Sequence, residues 1–306
     1  MSSKKNKRKY IFLGDTDSIN IEIITKSHSF LKKKVDYIVI GNKTKLKNYL
    51  KKLNFDIKVN SITDPINFGN YNKSFINIFD VEDKYKAKYK NLLYQLNLSN
   101  HLSKTTGYDL ITMPIDKSIF KKNMEFNGIT EYLGKINNKD TAMLMYGENF
   151  SIIPLTTHIN LKKIHTKILE KNLINSLDNI MNLVSFKNYN LKFENIIFLC
   201  YNPHCGENKT IGTEDALISS IIKKKFKKIL GPFPADSAFN DIKKNTLFIS
   251  TYHDQALIPF KILNKKGINF TIGLNYRRFS PSHGTAKNIK FKNKSNNSSY
   301  IACMLN

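Results

Sequence analysis

The sequence predicts an α/β protein with a largely parallel sheet. Short apolar runs alternate along the chain with longer segments in which apolar residues recur at helical spacing. Strands that alternate with helices are typical of parallel sheets whose faces are covered by helices. Of the 306 residues, 41% are hydrophobic and 24% charged, which excludes a disordered or collagen-like chain. The length suits one large domain or two lobes of about 150 residues each.

Individual elements follow from the same patterns. The apolar runs predicted to be strands are residues 9–13, 37–40, 75–79, 110–113, 151–155, 196–201 and 247–252. Apolar residues at helical spacing predict one helix over 161–184. A second helix is predicted after Thr213, which is a favourable N-cap, with Glu214 and Asp215 in its first turn and lysines near its end.

The charge raises the question of nucleic-acid binding. Lys and Arg number 49 against 24 acidic residues, which gives a net charge of +25 and a pI near 9.7. The lysines are spread over the whole chain, and arginine occurs only at Arg8, Arg277 and Arg278. Such a composition is typical of AT-rich coding sequence, so we expect no nucleic-acid partner.

The compartment is predicted from what the sequence does not contain. No window approaches the ~20 apolar residues of a membrane span. Three cysteines are too few for a disulfide framework, and Cys200 and Cys205 lack the spacing of a paired-thiolate zinc site. We therefore expect a cytoplasmic protein that does not contact the membrane.

Three of the seven histidines share one context. His158, His204 and His253 each lie just past the end of a predicted buried strand. The carboxyl edge of an open α/β sheet is where ligands bind, and three imidazoles converging there could hold a divalent metal with positions left open for substrate. The alternative is three separate strand-end residues, each bonded to backbone.

Other polar residues could complete such a site. Asp236 ends the rigid turn Gly-Pro-Phe-Pro-Ala-Asp and could orient a metal ligand, act as a general base, or cap a following helix. Arg277 and Arg278 remain in a chain that is otherwise nearly free of arginine, which indicates a need for bidentate anion binding. Lys261 could add a cation to the pocket, or could be one more solvated lysine.

Several motifs in order resemble one enzyme family. They are Asn-Pro-His-Cys-Gly-Glu at 202–207, Gly-Pro-Phe-Pro-Ala-Asp at 231–236, Tyr-His-Asp-Gln-Ala-Leu-Ile-Pro-Phe-Lys at 252–261, Gly-Ile-Asn-Phe-Thr-Ile-Gly-Leu at 267–274 and His-Gly-Thr-Ala at 283–286. Together they resemble the 4-hydroxythreonine-4-phosphate dehydrogenases of the pyridoxal phosphate pathway. The resemblance is strong over 156–286 and can be followed earlier through 112–117 and 130–133.

The resemblance implies a two-lobed α/β/α fold like that of isocitrate and isopropylmalate dehydrogenases. We expect one lobe over 1–133 plus 275–306, a second over 134–274, and a homodimer with its active site at the subunit interface. The implied cofactors are NAD, with NADP as the alternative, and a divalent metal: zinc, magnesium or cobalt. The implied site residues are the metal ligands His158, His204 and His253; the substrate contacts Thr130, Lys261, Asn269 and Arg278; and the dinucleotide stretch His283, Gly284, Thr285 and Ala286.

The implied reaction is oxidation of 4-phosphohydroxy-L-threonine to 2-amino-3-oxo-4-phosphooxybutanoate, which then loses carbon dioxide to give 3-amino-2-oxopropyl phosphate. The metal would lower the pKa of the substrate hydroxyl, and NAD would take the hydride. Asp236 and Lys261 are both candidates for the group that receives the hydroxyl proton, and neither is preferred.

The chain departs from the family pattern at several positions. Ile129 replaces a substrate-binding histidine, Ser282 replaces an aspartate, and Asn208 and Lys209 replace glycines. The family's Gly/Pro-rich loop reads Gly-Asp-Thr-Asp-Ser-Ile-Asn-Ile-Glu at 14–22. Two alternatives therefore stay open: a sister dehydrogenase of a phosphorylated sugar acid such as phosphothreonate or phosphoerythronate, and a non-catalytic, polyanion-binding protein that retains the fold.

Overall fold

A computed structural model describes residues 8–121, 123–186 and 189–306 of the chain. In these ranges the strands are β1 (Arg8–Phe12), β2 (Asp36–Gly41), β3 (Val59–Ser61), β4 (Ile76–Asp80), β5 (Asp109–Thr112), β6 (Ala142–Tyr146), β7 (Ser151–Pro154), β8 (Asn195–Leu199), β9 (Ile229–Phe233), β10 (Thr246–Ser250), β11 (Ile268–Ile272) and β12 (Arg278–Pro281). The helices are α1 (Asn20–Leu31), α2 (Lys43–Lys52), α3 (Lys88–Thr106), α4 (Ile129–Asn137), α5 (Ile164–Lys167), α6 (Glu170–Val184), α7 (Glu214–Lys225), α8 (His253–Leu263) and α9 (Ser298–Leu305).

The chain forms two compact units. The first contains the residues up to Asn137 together with Leu274–Asn306, and the second contains Asn138–Gly273. The lobe boundaries expected from the resemblance lie close to these positions. The first unit is discontinuous because the chain leaves it after α4 and returns to it at β12.

The first unit is built on parallel strands in the order β3-β4-β2-β1-β5-β12. Residues of β1, β2 and β5 are buried almost throughout, as expected for a parallel sheet with helices on both faces. Its hydrophobic core contains, among others, Tyr10, Phe12, Ile38, Leu96 and Leu110.

The second unit has the strand order β11-β6-β7-β10-β8-β9. β6 pairs antiparallel with both β11 and β7, whereas β7, β10, β8 and β9 are parallel. Its core includes Phe150, Leu199, Phe248 and Phe260. The α/β class with a mostly parallel sheet is therefore confirmed, and each of the seven predicted strands overlaps an observed one.

One predicted helix is wrong as a continuous element. Residues 161–184 form a short turn at Leu161–Lys163, then α5, and then α6 after a break at which Leu169 is extended (φ −60°, ψ 146°). The amide of Asn172 donates to the carbonyl of Thr166 across the break, at 2.7 Å. Because apolar residues on both sides still face the core, hydrophobic periodicity alone does not reveal the interruption.

The start of α7 agrees with the prediction in position but differs in its contacts. Thr213 is the N-cap residue, yet its side chain makes no capping hydrogen bond. The carboxylate of Asp215 instead accepts the backbone N–H groups of Tyr201 and Asn202, at 2.7 and 2.9 Å. This contact fixes the chain as it leaves β8.

No helix among the described residues is both long and apolar enough to cross a bilayer.

Candidate active site

The three strand-end histidines follow neighbouring parallel strands of the second unit. β7, β10 and β8 lie side by side, and they lead to His158, His253 and His204 respectively. Because parallel strands end at the same edge of the sheet, all three residues belong to one edge, as the sequence predicts. The ring centroids of His158 and His253 are 5.7 Å apart.

In two of these histidines, the ring nitrogen Nδ1 contacts a carboxylate. Nδ1 of His204 is 2.8 Å from Oε1 of Glu207, and Nδ1 of His253 is 2.6 Å from Oδ1 of Asp254. When Nδ1 donates to a carboxylate, the lone pair lies on Nε2, which is the usual arrangement of an imidazole that binds a metal. The hydrogen bond to Glu207, and then the nearby charge of Asp236, raise the pKa of His204.

The donor set therefore fits a divalent metal in its chemistry. Imidazole nitrogens are good ligands for zinc and cobalt. Among the described residues, however, no three His, Cys, Asp or Glu side chains of the single chain are close enough together to hold an ion. The metal ligands thus stay a prediction.

His204 is carried by an unusual segment of backbone. From His204 to Lys209 every residue has a positive φ, between 41° and 82°, and only one of these residues is glycine. Left-handed backbone costs roughly 1–2 kcal/mol for each non-glycine residue, so surrounding contacts must stabilise this turn. Position 206 requires glycine, because a Cβ there would lie 2.5 Å from the carbonyl oxygen of Gly212.

A disulfide joins the end of β8 to this turn. Cys200 directly follows the strand, and it is bonded to Cys205, the residue after His204. The bond is not predicted from the sequence, where three cysteines and a short spacing gave no reason to pair these two. It ties the turn to the buried end of the strand.

Gln255 connects the strand ends that lead to two of the histidines. Its amide nitrogen donates to the carbonyl of Cys200 at 2.8 Å, and its amide oxygen accepts the backbone N–H of Thr251 at 2.8 Å. Gln255 lies in the first turn of α8, two residues after His253. One side chain therefore fixes the end of β10 relative to the end of β8.

The remaining second-unit candidates lie around this edge. Asp236 is exposed, and its carboxylate is 3.8 Å from Nε2 of His204. Residues 235–239 form turns, so the alternative that Asp236 caps a helix is wrong. Lys261 is exposed on α8, and eight residues of helix separate it from His253 by about 12 Å. Asn269 on β11 has a buried amide oxygen without a hydrogen-bond partner among the described residues, as expected of a group that contacts a ligand.

In the first unit, Arg278 lies in a pocket of threonine hydroxyls. Its side chain is buried, and Thr112 Oγ1 accepts from Nε at 2.9 Å and also from Nη2. Thr130 Oγ1 accepts from Nη1 at 3.2 Å. Burial lowers the pKa of Arg278 to about 10, which still leaves it charged at neutral pH.

Arg277 does not share a site with Arg278, and the anion that it binds is a side chain of the protein itself. Its guanidinium binds both carboxylate oxygens of Asp109, at 2.9 and 2.6 Å. Asp109 also accepts from Lys9, which is fully buried in β1. The requirement for a planar bidentate donor is real, but its partner is a side chain of the same chain.

Ile129 begins α4 and packs against the hydrophobic core of the first unit. This apolar contact accounts for the residue at the position where the resembling family has a substrate-binding histidine. Thr130, the next residue, is buried next to Arg278.

Residues 283–286, which are predicted to lie near the dinucleotide, follow β12 and contact the loop that replaces the Gly/Pro-rich segment. Ile19 donates its N–H to the carbonyl of Thr285 at 3.2 Å. His283 is half-buried and bonded through Nδ1 to the carbonyl of Gly284, and burial lowers its pKa. Gly284 is exposed, and Ala286 has a φ of 44°.

The altered N-terminal loop is well packed. The buried amide of Asn20 donates to the carbonyls of Leu13, Asp15 and Pro114, at 2.9 to 3.2 Å. Gly14 keeps a φ of 70°, and a Cβ there would lie 2.6 Å from the carbonyl oxygen of Pro114. Hydrogen bonds from Asn20 thus stabilise the loop where the family has glycine.

Sequence reasoning missed the residues that hold the candidates in place. Glu207, Asp254, Gln255 and Thr112 lie in the quoted motifs, but no role is predicted for them. For the first two a signal existed, because each carboxylate lies within three residues of a predicted metal histidine. Gln255 and Thr112 act across strands, which a linear motif does not show.

Comparison with known proteins agrees with these features. The family model described as "Pyridoxal phosphate biosynthetic protein PdxA" matches residues 33–305. The 4-hydroxythreonine-4-phosphate dehydrogenase of Aquifex aeolicus (strain VF5) is 34% identical over 97% of this chain and 96% of its own length. That of Hydrogenobaculum sp. (strain Y04AAS1) is 35% identical over 92% of each chain.

Solved structures show the same fold. The crystal structure of 4-hydroxythreonine-4-phosphate dehydrogenase from Klebsiella pneumoniae superposes with a TM-score of 0.78 at 24% identity, and covers 98% of this chain and 97% of that one. The resemblance inferred from five motifs therefore extends over nearly the whole sequence. By its matched length and its identity to these relatives, the chain belongs to the PdxA family of pyridoxal phosphate biosynthesis, whose named relatives here are dehydrogenases.

Proposed function

We propose that this chain oxidises 4-phosphohydroxy-L-threonine to 2-amino-3-oxo-4-phosphooxybutanoate with NAD, and that this product decarboxylates to 3-amino-2-oxopropyl phosphate. The observation that carries the proposal is the set of three histidines at one sheet edge, two of them bonded through Nδ1 to carboxylates. Family membership supports the reaction class, and the names of the relatives support this substrate.

Different residues of the chain would bind the metal and the substrate. His158, His204 and His253 would hold a divalent metal, which when bound supplies Lewis-acid polarisation of the substrate oxygen. Arg278 would bind one anionic end of the substrate. Its guanidinium is held by Thr112 and Thr130, so little conformational freedom is lost on binding.

Two further contacts complete the substrate site. Lys261 would bind the other anionic end, and the amide of Asn269 would contact a polar group of the substrate. Of the two proton-acceptor candidates, Asp236 is the better placed, because it lies 3.8 Å from His204, whereas Lys261 is about two helical turns away from His253. The stretch 283–286 would lie along the dinucleotide, with NADP as the alternative to NAD.

The working enzyme would be a cytoplasmic homodimer with its site at the subunit interface. On α8, Ile258 is 60% and Ile262 68% exposed, and the two lie one turn apart on the helix that begins at His253. A second copy of the chain covering this face would bury both side chains next to the candidate site.

The direct test removes the metal and follows NADH formation from 4-phosphohydroxy-L-threonine as zinc, magnesium or cobalt is restored. We expect metal-dependent NADH formation, and we expect His204→Ala to lose both metal binding and turnover. The exposed His101→Ala in α3 is the matched control and should behave as the wild type. Full activity of His204→Ala would contradict the proposal.

A second candidate substrate is favoured by Ile129. An apolar side chain cannot replace the hydrogen bonds of a histidine, so a phosphorylated sugar acid such as phosphothreonate or phosphoerythronate could be the better substrate. Side-by-side measurement of kcat/KM for the three acids decides between them. Salt-sensitive polyanion binding without any NADH formation would instead support the non-catalytic alternative.

A further inference from the structure

The bond between Cys200 and Cys205 joins a buried position to an accessible one. Cys200 is 1% exposed at the end of β8, and Cys205 is half-buried in the turn that carries His204. Their Cα atoms are 5.1 Å apart, which is within the usual range for a disulfide. The free cysteine, Cys303, is buried in the other unit.

This bond acts on one short segment of the chain. It spans a sequence separation of five residues, so its effect on the unfolded chain as a whole is small compared with that of a bond closing a long loop. Four residues, 201–204, lie between the two cysteines, and the left-handed run extends from His204 through Lys209. Backbone in this conformation is retained only where other contacts hold it.

The non-covalent contacts of the turn include hydrogen bonds within it and a contact from Sγ of Cys205 to the carbonyl of Pro232 on β9, at 3.6 Å. The side chain of His204 bonds to Glu207, which lies in the same turn, and its other near neighbour, Asp236, is at 3.8 Å. The backbone N–H of Ile211 donates to the carbonyl of Gly206 at 3.2 Å. The disulfide adds a covalent connection between the turn and the end of β8.

We propose that Cys200 and Cys205 form a reversible thiol–disulfide site that holds the turn carrying His204 and thereby sets the affinity of the chain for its metal. The closed bond keeps His204 with Nδ1 on Glu207 and Nε2 available. The open pair releases the turn, and metal affinity falls. The part concerning metal rests on the proposed function; the part concerning the turn does not.

The exchange uses a low-molecular-weight disulfide as oxidant. The Cys205 thiolate, being accessible, attacks one sulfur of that disulfide, forms a mixed disulfide and releases one small thiol. The Cys200 thiolate then attacks Sγ of Cys205, forms the internal bond and expels the second small thiol. The two protons lost by the cysteines end on the two small thiols, and two electrons pass to the oxidant. A small dithiol reverses both steps.

The experiment equilibrates the full-length protein with oxidised and reduced glutathione at a series of ratios. Alkylation and mass spectrometry then give the fraction of bonded Cys200–Cys205. On the fully bonded and fully open protein, hydrogen exchange of residues 203–213 and the affinity for cobalt are measured. We expect opening to speed exchange in this segment and to weaken cobalt binding, each by about tenfold.

Three variants separate the bond from the thiols. Cys205→Ser and Cys200→Ser should match the open wild type at every glutathione ratio, whereas Cys303→Ser, which leaves the pair intact, should keep the redox response. The proposal is overturned if the pair stays reduced at the most oxidising ratio, or if exchange and cobalt affinity are equal in the two states. If neither state binds cobalt but exchange still responds, the control of the turn is upheld and the proposed metal-dependent function fails.

Discussion

At the scale of single residues, two adjacent arginines contact different partners. Arg277 binds both oxygens of Asp109, beside the buried Lys9, whereas Arg278 is surrounded by the hydroxyls of Thr112 and Thr130. Successive residues at a strand point to opposite faces, so sequence neighbours need not share a site. The first arginine is structural, and the second is the candidate anion ligand.

The two roles predict opposite outcomes for the same substitution. Arg277→Lys should lower the free energy of unfolding by about 1–3 kcal/mol, because lysine cannot replace the bidentate contact to Asp109, and should leave KM nearly unchanged. Arg278→Lys should raise the substrate KM by roughly tenfold or more with less effect on stability. Denaturant unfolding and steady-state kinetics on both variants check this; a large KM effect in Arg277→Lys alone would reverse the assignment.

A buried histidine in the first unit predicts a pH dependence of stability. His28 is 3% exposed, its Nδ1 is 2.6 Å from the hydroxyl of Tyr37, and burial lowers its pKa. The unfolded state, with an ordinary histidine pKa near 6.5, therefore takes up a proton before the folded state does. Stability contributed by neutral His28 is present above that pH and is lost as the pH falls below it.

We expect the free energy of unfolding to decrease as the pH falls from about 7 to 5.5, by at most about 1.4 kcal/mol per pH unit for this group. His28→Gln, which does not titrate, should show a shallower slope. His283 also has a lowered pKa, so the comparison of slopes, and not the wild-type slope alone, isolates His28. Equal slopes would exclude His28 as a contributor.

At the scale of elements, the turn after β8 has an unfavourable left-handed backbone and is held by a disulfide. Asn208 and Lys209 have φ values of 55° and 76°, at positions where the resembling family has glycine. Asparagine tolerates the left-handed region better than lysine does, but both cost more than glycine. Both residues nevertheless have left-handed backbone in this turn.

Restoring glycine should therefore stabilise the chain. Asn208→Gly and Lys209→Gly are each expected to raise the free energy of unfolding by about 0.5–1 kcal/mol, with the larger gain at Lys209. Lys47→Gly, at an exposed position in the middle of α2, is the matched control and should lower stability by about 1 kcal/mol. Thermal or denaturant unfolding measures all three, and a loss of stability in both turn variants would refute the argument.

At the scale of the whole molecule, the candidate residues are divided between two units. The three histidines, Lys261 and Asn269 belong to the second unit, whereas Thr130, Arg278 and 283–286 belong to the first. Each unit therefore carries its own part of the candidate residues.

Charged substitutions on α8 test the proposed dimer interface. Ile258→Asp together with Ile262→Asp should convert a dimer to a monomer in analytical ultracentrifugation and should lower turnover, because an unpaired carboxylate is costly to bury in an interface. Phe30→Asp, at an apolar residue of the first unit that is 47% exposed, is the control and should not alter the oligomeric state. A dimer that persists in the double variant would place the interface elsewhere.

The net charge of +25 belongs to this scale as well. Several lysines have acidic partners in the structure, among them Lys88 with Asp15, Lys290 with Asp17, and Lys287 with Asp116. Among the described residues, lysines occur in both units. Cations spread in this way are typical of a solvated surface.

The sequence by itself determined the α/β class, the seven predicted strands and the position of three histidines past strand ends. These features depend on local hydrophobic patterns and on the alternation of elements, which a linear sequence carries in full. Quoted motifs added the family, and the comparisons confirmed it over nearly the whole chain. The break before α6 was not predicted, because the hydrophobic periodicity continues across it.

Only the tertiary structure decided which side chains meet. It separated Arg277 from Arg278, bonded Cys200 to Cys205, and placed Gln255 between two strand ends. Each of these contacts joins residues on different strands or turns, and strand order is set by packing of the whole sheet. Geometry of this kind has no local signature, because a hydrogen bond or a disulfide depends on distances of a few ångströms that only the folded chain defines.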